Sequence, residues 1–232
     1  MTHVTGIACG NGFLSHGIYC GIAPKANIVS IKILDGAGQG NSLQAIRALR
    51  WIMDNFRKYD IRVVNLSIGT NDRKINQPLK EAVERLWQMG IVVVAAAGNP
   101  DEQKGRRPPP AVSSDVISVG AWEDRNFFQC PSFSCFTKEE PLLPDLWAPG
   151  DDIISVLSPD YDFSLPGRSQ QNMVNNHYIR MSGASMATPL VSGTAALLLE
   201  KNPRLSPAEV KKHLLQLTLL TDGLLTRECL LL

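Results

Sequence analysis

An α/β fold, with a mostly parallel central sheet flanked by helices, is what this 232-residue sequence predicts. Two features carry that expectation. Apolar runs of strand length, IVSIKIL at 28–34, IRVVNLSIG at 61–69 and IVVVAAAG at 91–98, each lead into turn or glycine-rich sequence. Segments of helical periodicity separate them, and strand, helix, strand in succession is the pattern of right-handed βαβ units.

Taken in order, each run is long and continuous enough to be a strand covered on both faces. Between the first and second, residues 42–58 place Leu43, Ile46, Leu49, Ile52 and Met53 at three- and four-residue spacing; between the second and third, residues 78–89 do the same with Leu79, Val83 and Leu86. Both predict amphipathic helices. A fourth strand is expected at VISVG, 116–120, after the proline-rich Arg106 to Pro110. Residues 121–150 alternate short apolar pieces with turns, and 157–177 are polar and aperiodic, which predicts a surface excursion. The stretch from Ser182 to Lys201 begins in small residues and continues as VSGTAALLLE, a helix expected to run through the core. Ser206, Pro207 and Glu209 carry the start signal of a last helix. With no repeat and no linker, residues 1–232 read as one domain.

Composition removes several function classes. Lys and Arg number 23 against 22 Asp and Glu, a net charge of +1, so nothing electrostatic points to nucleic acid or an anionic membrane. No apolar run approaches the roughly 20 residues of a membrane helix. The five cysteines, Cys9, Cys20, Cys130, Cys135 and Cys229, form no zinc-type CxxC pairs. Cys130 and Cys135 can bridge only if the loop between them folds back; free thiols are the expectation, and they slightly favour a reducing, cytoplasmic compartment while secretion stays open.

The segment SGASMATP, Ser182 to Pro189, sets serines among residues too small to cover them at the start of a buried helix. Such a serine either caps the helix or presents a hydroxyl at the positive end of the helix dipole, where backbone N–H groups can meet a developing oxyanion. The motif itself resembles the nucleophile segment of the subtilisin-like serine proteases. So do GIAPKANIVSIKILD at 21–35, VVNLSIG at 63–69, VVVAAAGN at 92–99 and PDLWAPG at 144–150, in the family's order. The resemblance implies the subtilisin-like three-layer fold and a serine endopeptidase acting through an acyl-enzyme on Ser185. It implies that the Asn99 side-chain amide is an oxyanion donor, although a turn residue after Gly98 is the plainer reading of that position alone. It further implies that Ser67, Ile68 and Gly69 pair with an extended polypeptide substrate, and that Gly36, Ala37 and Gly38 form the opposite edge of the groove, positions that ordinary turn chemistry also explains.

The same resemblance exposes a deficit. The family's catalytic histidine precedes the Gly-Thr-His that here reads Met1-Thr2-His3, which aligns His3 with a second, non-catalytic histidine; no Asp motif precedes it. His16, His177 and His213 lack a motif, and Lys201 lies roughly 24 Å from Ser185 along one helix. In the family the strand presenting the Asp lies inside the sheet, so its loss leaves neighbouring backbone unpaired. The expectation is therefore a truncated catalytic domain whose missing N-terminal segment supplies Asp and His, and which is inactive alone. The alternative is a pseudoprotease that binds peptides. Ala184 stands where the family usually has threonine. The chemistry requires no cofactor; structural calcium is compatible with the family, but no metal ligand is assigned because residues 10–21 lack clustered carboxylates.

Overall fold

The structure, a computed structural model, describes residues 2–70, 76–98, 108–122 and 144–219. Its centre is a four-stranded, wholly parallel sheet of β1 (Val63–Leu66), β2 (Val92–Ala96), β3 (Ile117–Trp122) and β4 (Leu146–Pro149), adjacent in that order. Registers run Val63 to Val92, Val94 to Ile117 and Val119 to Leu146. Every residue of β2 and β3 is buried, as expected of inner parallel strands with both faces covered.

Strand alternation sorts the core into two layers. Val92, Val94 and Ala96 point to one face with Ile117, Val119 and Ala121. There they meet α4 (Ala184–Lys201) and α5 (Pro207–Leu219) through Ala187, Val191, Ala195, Val210 and Leu214. Val93 and Ala95 point the other way with Val64 and Leu66, against α2 (Ser42–Asn55) and α3 (Asn76–Gln88) through Leu49, Ile52, Val83 and Leu86. The result is three layers, helix, sheet and helix.

Local signals set the helix boundaries. Asn41 caps α2 by accepting the Leu43 N–H at 2.8 Å. Ser206 and Glu209 form a reciprocal capping box before α5: the Glu209 carboxylate accepts the Ser206 N–H at 2.8 Å, and the Ser206 hydroxyl accepts the Glu209 N–H at 3.3 Å. Lys211 pins α5 to the sheet through a 2.9 Å ion pair with Asp145, which also accepts the N–H and hydroxyl of Ser118.

Two sequence expectations need correction. Residues 28–34 form no strand ladder; their one bridge is Leu34 to Gly40, and Ile28 and Val29 are exposed. Ile31 and Ile33 nonetheless pack beside the α2–α3 layer. β1 has β2 as its sole ladder partner among the described residues, so the backbone that would continue the sheet toward 28–34 is not met there. Secondly, 157–177 is not purely irregular: β6 (Met173–Asn175) pairs antiparallel with β7 (Tyr178–Met181), which pairs with β5 (Ile153–Val156) in a second, three-stranded sheet. In addition, THVTGIAC forms a helix, α1 (Thr2–Cys9), without amphipathic periodicity, an element for which the sequence carried no expectation. Its small residues let it lie close to α4, where a side chain at Gly193 would meet Ile22 and the Ala8 carbonyl. Cys9 and Cys20 are free thiols, with burial pushing the Cys9 thiol up; Cys130, Cys135 and Cys229 lie outside the described residues. No helix among the described residues is long and apolar enough to cross a membrane.

Candidate active site

In an open parallel sheet, chemistry gathers beyond the carboxyl ends of the strands. Ser67 to Gly69 leave β1 there, Gly98 leaves β2, and Ser185 arrives at the same end as the second residue of α4. Pro108 joins the first two: a Cβ at Gly69 would lie 2.8 Å from its Cγ, and one at Gly98 3.0 Å from its Cδ. The Thr70 N–H donates to the Pro109 carbonyl at 3.2 Å, fixing the end of β1 against the same prolines.

Ser185 and Ser67 are joined reciprocally. The Ser185 hydroxyl donates to the Ser67 carbonyl at 3.3 Å, and the Ser67 hydroxyl donates to the Ser185 carbonyl at 2.9 Å. The helix start itself is capped by neither candidate serine. Gly183 is the cap residue and no side chain bonds there; Ser182 instead donates to Asp151 Oδ1 at 2.7 Å and accepts the Asp152 N–H at 2.9 Å. The Ser185 hydroxyl is thus not consumed in capping. Its own N–H, in the first helical turn, has no helix carbonyl one turn earlier to bond, and points with the helix dipole's positive end. That is the donor geometry an oxyanion needs.

Ile68 is half-buried against the α2–α3 layer. Asn99 lies outside the described residues, although Gly98 before it sits at the site with φ of 93°. Gly36, Ala37 and Gly38 form a tight turn rather than an extended edge. Asp35 Oδ1 accepts the N–H of Ala37 and of Gln39 at 2.9 Å each, the Gly38 N–H donates to the Asp35 carbonyl, and Arg168 donates to the Gly36 carbonyl at 2.9 Å. The Ala37 and Gly38 N–H groups and the Gly36 carbonyl are thus already bonded, and a peptide pairing with those groups has to displace their partners. The Ser67 hydroxyl, for its part, is bound to the Ser185 carbonyl.

None of the four histidines bonds Ser185. His177 is exposed, its N–H on Asn175 Oδ1 at 2.8 Å; His16 sits in a left-handed turn at φ of 51°; His213 is exposed on α5. His3 is buried, with Nε2 3.1 Å from the Ile153 carbonyl and 3.0 Å from that of Ile179. Carbonyls accept only, so Nε2 carries the proton, and the buried Nδ1 has no partner. Burial therefore holds the His3 pKa below its usual 6.5, outweighing the two carbonyls that favour the charged ring. The unfolded chain binds this proton more readily, so stability is fully present above 6.5 and falls as pH drops from there toward the folded value. His3→Gln is expected to flatten the slope of unfolding free energy between pH 7 and pH 5; an unchanged slope in urea titrations would assign that pH dependence elsewhere. Among the described residues no three His, Cys, Asp or Glu side chains are grouped to hold a metal ion.

Two features of this site escaped the sequence reading. Gly183 adopts φ 130° and ψ 170°, a conformation that only its neighbours in space explain: its N–H donates to the Gly150 carbonyl at 2.7 Å and its carbonyl accepts from Met186 at 2.9 Å. Asn65, a polar residue inside an apolar strand run, was the available signal for a buried polar contact.

Residues 2–228 match the model of the subtilase family. Serine protease AprX of Bacillus subtilis (strain 168) is 37% identical over 227 residues, covering 92% of this chain and 51% of that protein. Subtilisin DY of Bacillus licheniformis is 32% identical over 196 residues, covering 84% of this chain and 61% of its own. The solved structure of sphericase superposes with a TM-score of 0.74 at 26% identity, covering 92% of this chain and 67% of that one. The chain spans about half the length of the first of these relatives.

Proposed function

Since this chain belongs to the subtilase family, we propose that it carries the nucleophile and oxyanion donors of a serine endopeptidase, with attack by Ser185 on the carbonyl of an extended polypeptide. The observation that carries the proposal is the placement of Ser185 in the first turn of α4, uncapped by its own side chain and bonded to the end of β1. The hydroxyl proton passes to a base as the Oγ–C bond forms; the oxyanion is met by the Ser185 N–H and the Asn99 amide; the C–N bond then breaks, and the departing amine takes the proton. Water hydrolyses the acyl-enzyme by the reverse sequence. Ser67 to Gly69 align the substrate backbone as an added strand.

The base and its orienting carboxylate are, on this proposal, contributed by residues outside these 232. The setting of His3 supports this: its Nε2 is committed to two carbonyls, its Nδ1 is buried, and neither nitrogen bonds the Ser185 hydroxyl. The side of β1 away from β2, which has no ladder partner among the described residues, is the natural seat for a strand bringing them. No cofactor enters the scheme.

The test uses two preparations and an unstructured protein substrate. The full-length protein is expected to hydrolyse it and to take up a phosphonyl fluoride at Ser185, seen as a mass increment on the peptide containing 182–190. Residues 1–232 alone are expected to show neither. Activity of the isolated chain dependent on Ser185 would place the base inside it, whereas peptide binding by the full-length protein without turnover or labelling would support the pseudoprotease reading.

A further inference from the structure

Pro189 lies inside α4, four residues after Ser185. Proline has no N–H, and its ring crowds the carbonyl one turn earlier, so the Ser185 carbonyl is the one that loses its helical partner. The Ser67 hydroxyl supplies the missing donor at 2.9 Å. From this single bond the polarity of a longer chain follows. A carbonyl only accepts, so the Ser67 hydroxyl must direct its proton at Ser185 and can itself only accept. The group facing it is the Asn65 side chain at 3.0 Å, which must therefore present its NH₂. The Asn65 Oδ1 is then turned to the Ser192 hydroxyl on the buried face of α4, whose proton lies between Oδ1 at 2.9 Å and the Thr188 carbonyl at 3.1 Å. Asn65 thus ties two points of one helix, one turn on either side of Pro189, to the end of β1.

We propose that Asn65 is a positioning residue for the nucleophile: acting through Ser67, it holds the main chain of Ser185 where the proline has released it, and so sets the direction of Oγ relative to the 67–69 strand edge. This rests on the reading of Ser185 as nucleophile. Asn65 touches neither substrate nor reacting atoms. An asparagine is required because a carboxylate of the same shape has no donor for Ser67; it would draw the Ser67 proton to itself and leave the Ser185 carbonyl unmatched. The device exists because of Pro189, which makes it testable by restoring the N–H.

Asn65→Asp and Pro189→Ala would be made singly and together in the full-length protein, with kcat and KM measured per site titrated by a phosphonyl fluoride. Asn65→Asp is expected to lower kcat about tenfold or more while KM moves less than about threefold, the signature of a displaced nucleophile rather than of weakened substrate binding. In the Pro189→Ala background the same substitution is expected to cost less than about threefold, because the N–H restored at position 189 donates to the Ser185 carbonyl directly. Amide hydrogen exchange over 182–190 gives an arm independent of turnover: faster in Asn65→Asp, restored in the double variant. Equal penalties in both backgrounds, or exchange unaffected by Asn65→Asp, would overturn the clamp. A Ser185→Ala control that stays active would overturn the nucleophile reading instead, and the exchange comparison would still decide the role of Asn65.

Discussion

Ser185→Ala in the full-length protein is expected to lower kcat by about 10⁶-fold while leaving KM within a few fold of its original value. Alanine keeps the helix start, because Ser185 contributes no cap and its N–H remains in the first turn. Binding along 67–69 uses backbone that the substitution does not touch. What disappears is the atom that forms the covalent bond, and with it every later step. The residual rate is that of water attacking a carbonyl polarised by the remaining donors. The substitution also removes the 3.3 Å hydrogen bond to the Ser67 carbonyl, which is long enough that unfolding midpoints should barely move. A kcat reduced by less than about tenfold would exclude Ser185 as the nucleophile.

Gly183→Ala is expected to be damaging for a different reason, with a smaller loss of rate. At φ 130° and ψ 170° the residue occupies backbone space that is essentially reserved for glycine, and a Cβ costs about 1–3 kcal/mol there. The strain cannot relax without moving the site. Gly183 is held from both sides, to the Gly150 carbonyl at 2.7 Å and from the Met186 N–H at 2.9 Å, so any shift of its torsions reaches Ser185 two residues on. Displacing an attacking oxygen by about 1 Å costs on the order of 10²-fold, so kcat should fall by about that factor in protein that still folds. Chemical denaturation and site-titrated kinetics on the same sample separate the two effects. Wild-type kcat with lowered stability would show that α4 absorbs the strain without moving its first turn.

The pattern of apolar residues proved a faithful guide wherever its partners were close. IVVVAAAG is buried on both faces and forms the inner strand β2, because continuous hydrophobicity reports two-sided burial. The equally apolar 28–34 forms no ladder, since a strand also needs neighbouring backbone at the right spacing, and hydropathy carries no information on that. α1 went unread for the opposite reason: its small residues show no period, and its packing against α4 and β5 supplies what propensity does not. At the site, the motif around Ser185 identified which residues to watch, while the turn at 36–38 could be read either way until its amides were seen bonded to Asp35.

Taken by itself, the sequence determined residue identities and the local rules attached to them: a parallel α/β architecture, a serine in a small-residue segment opening a buried helix, a capping box at Ser206, and a proline four residues beyond the nucleophile candidate. Only the tertiary structure decided what those residues bond to. Ser67 and Ser185 are 118 positions apart, and Asn65 and Ser192 are 127 apart. Nothing in local spacing says that the carbonyl orphaned by Pro189 is matched by a hydroxyl from the end of β1. Hydrogen-bond direction is the physical reason. An acceptor at one end of a chain of groups dictates donor and acceptor all the way along it, and that constraint exists only once folding has brought the chain together.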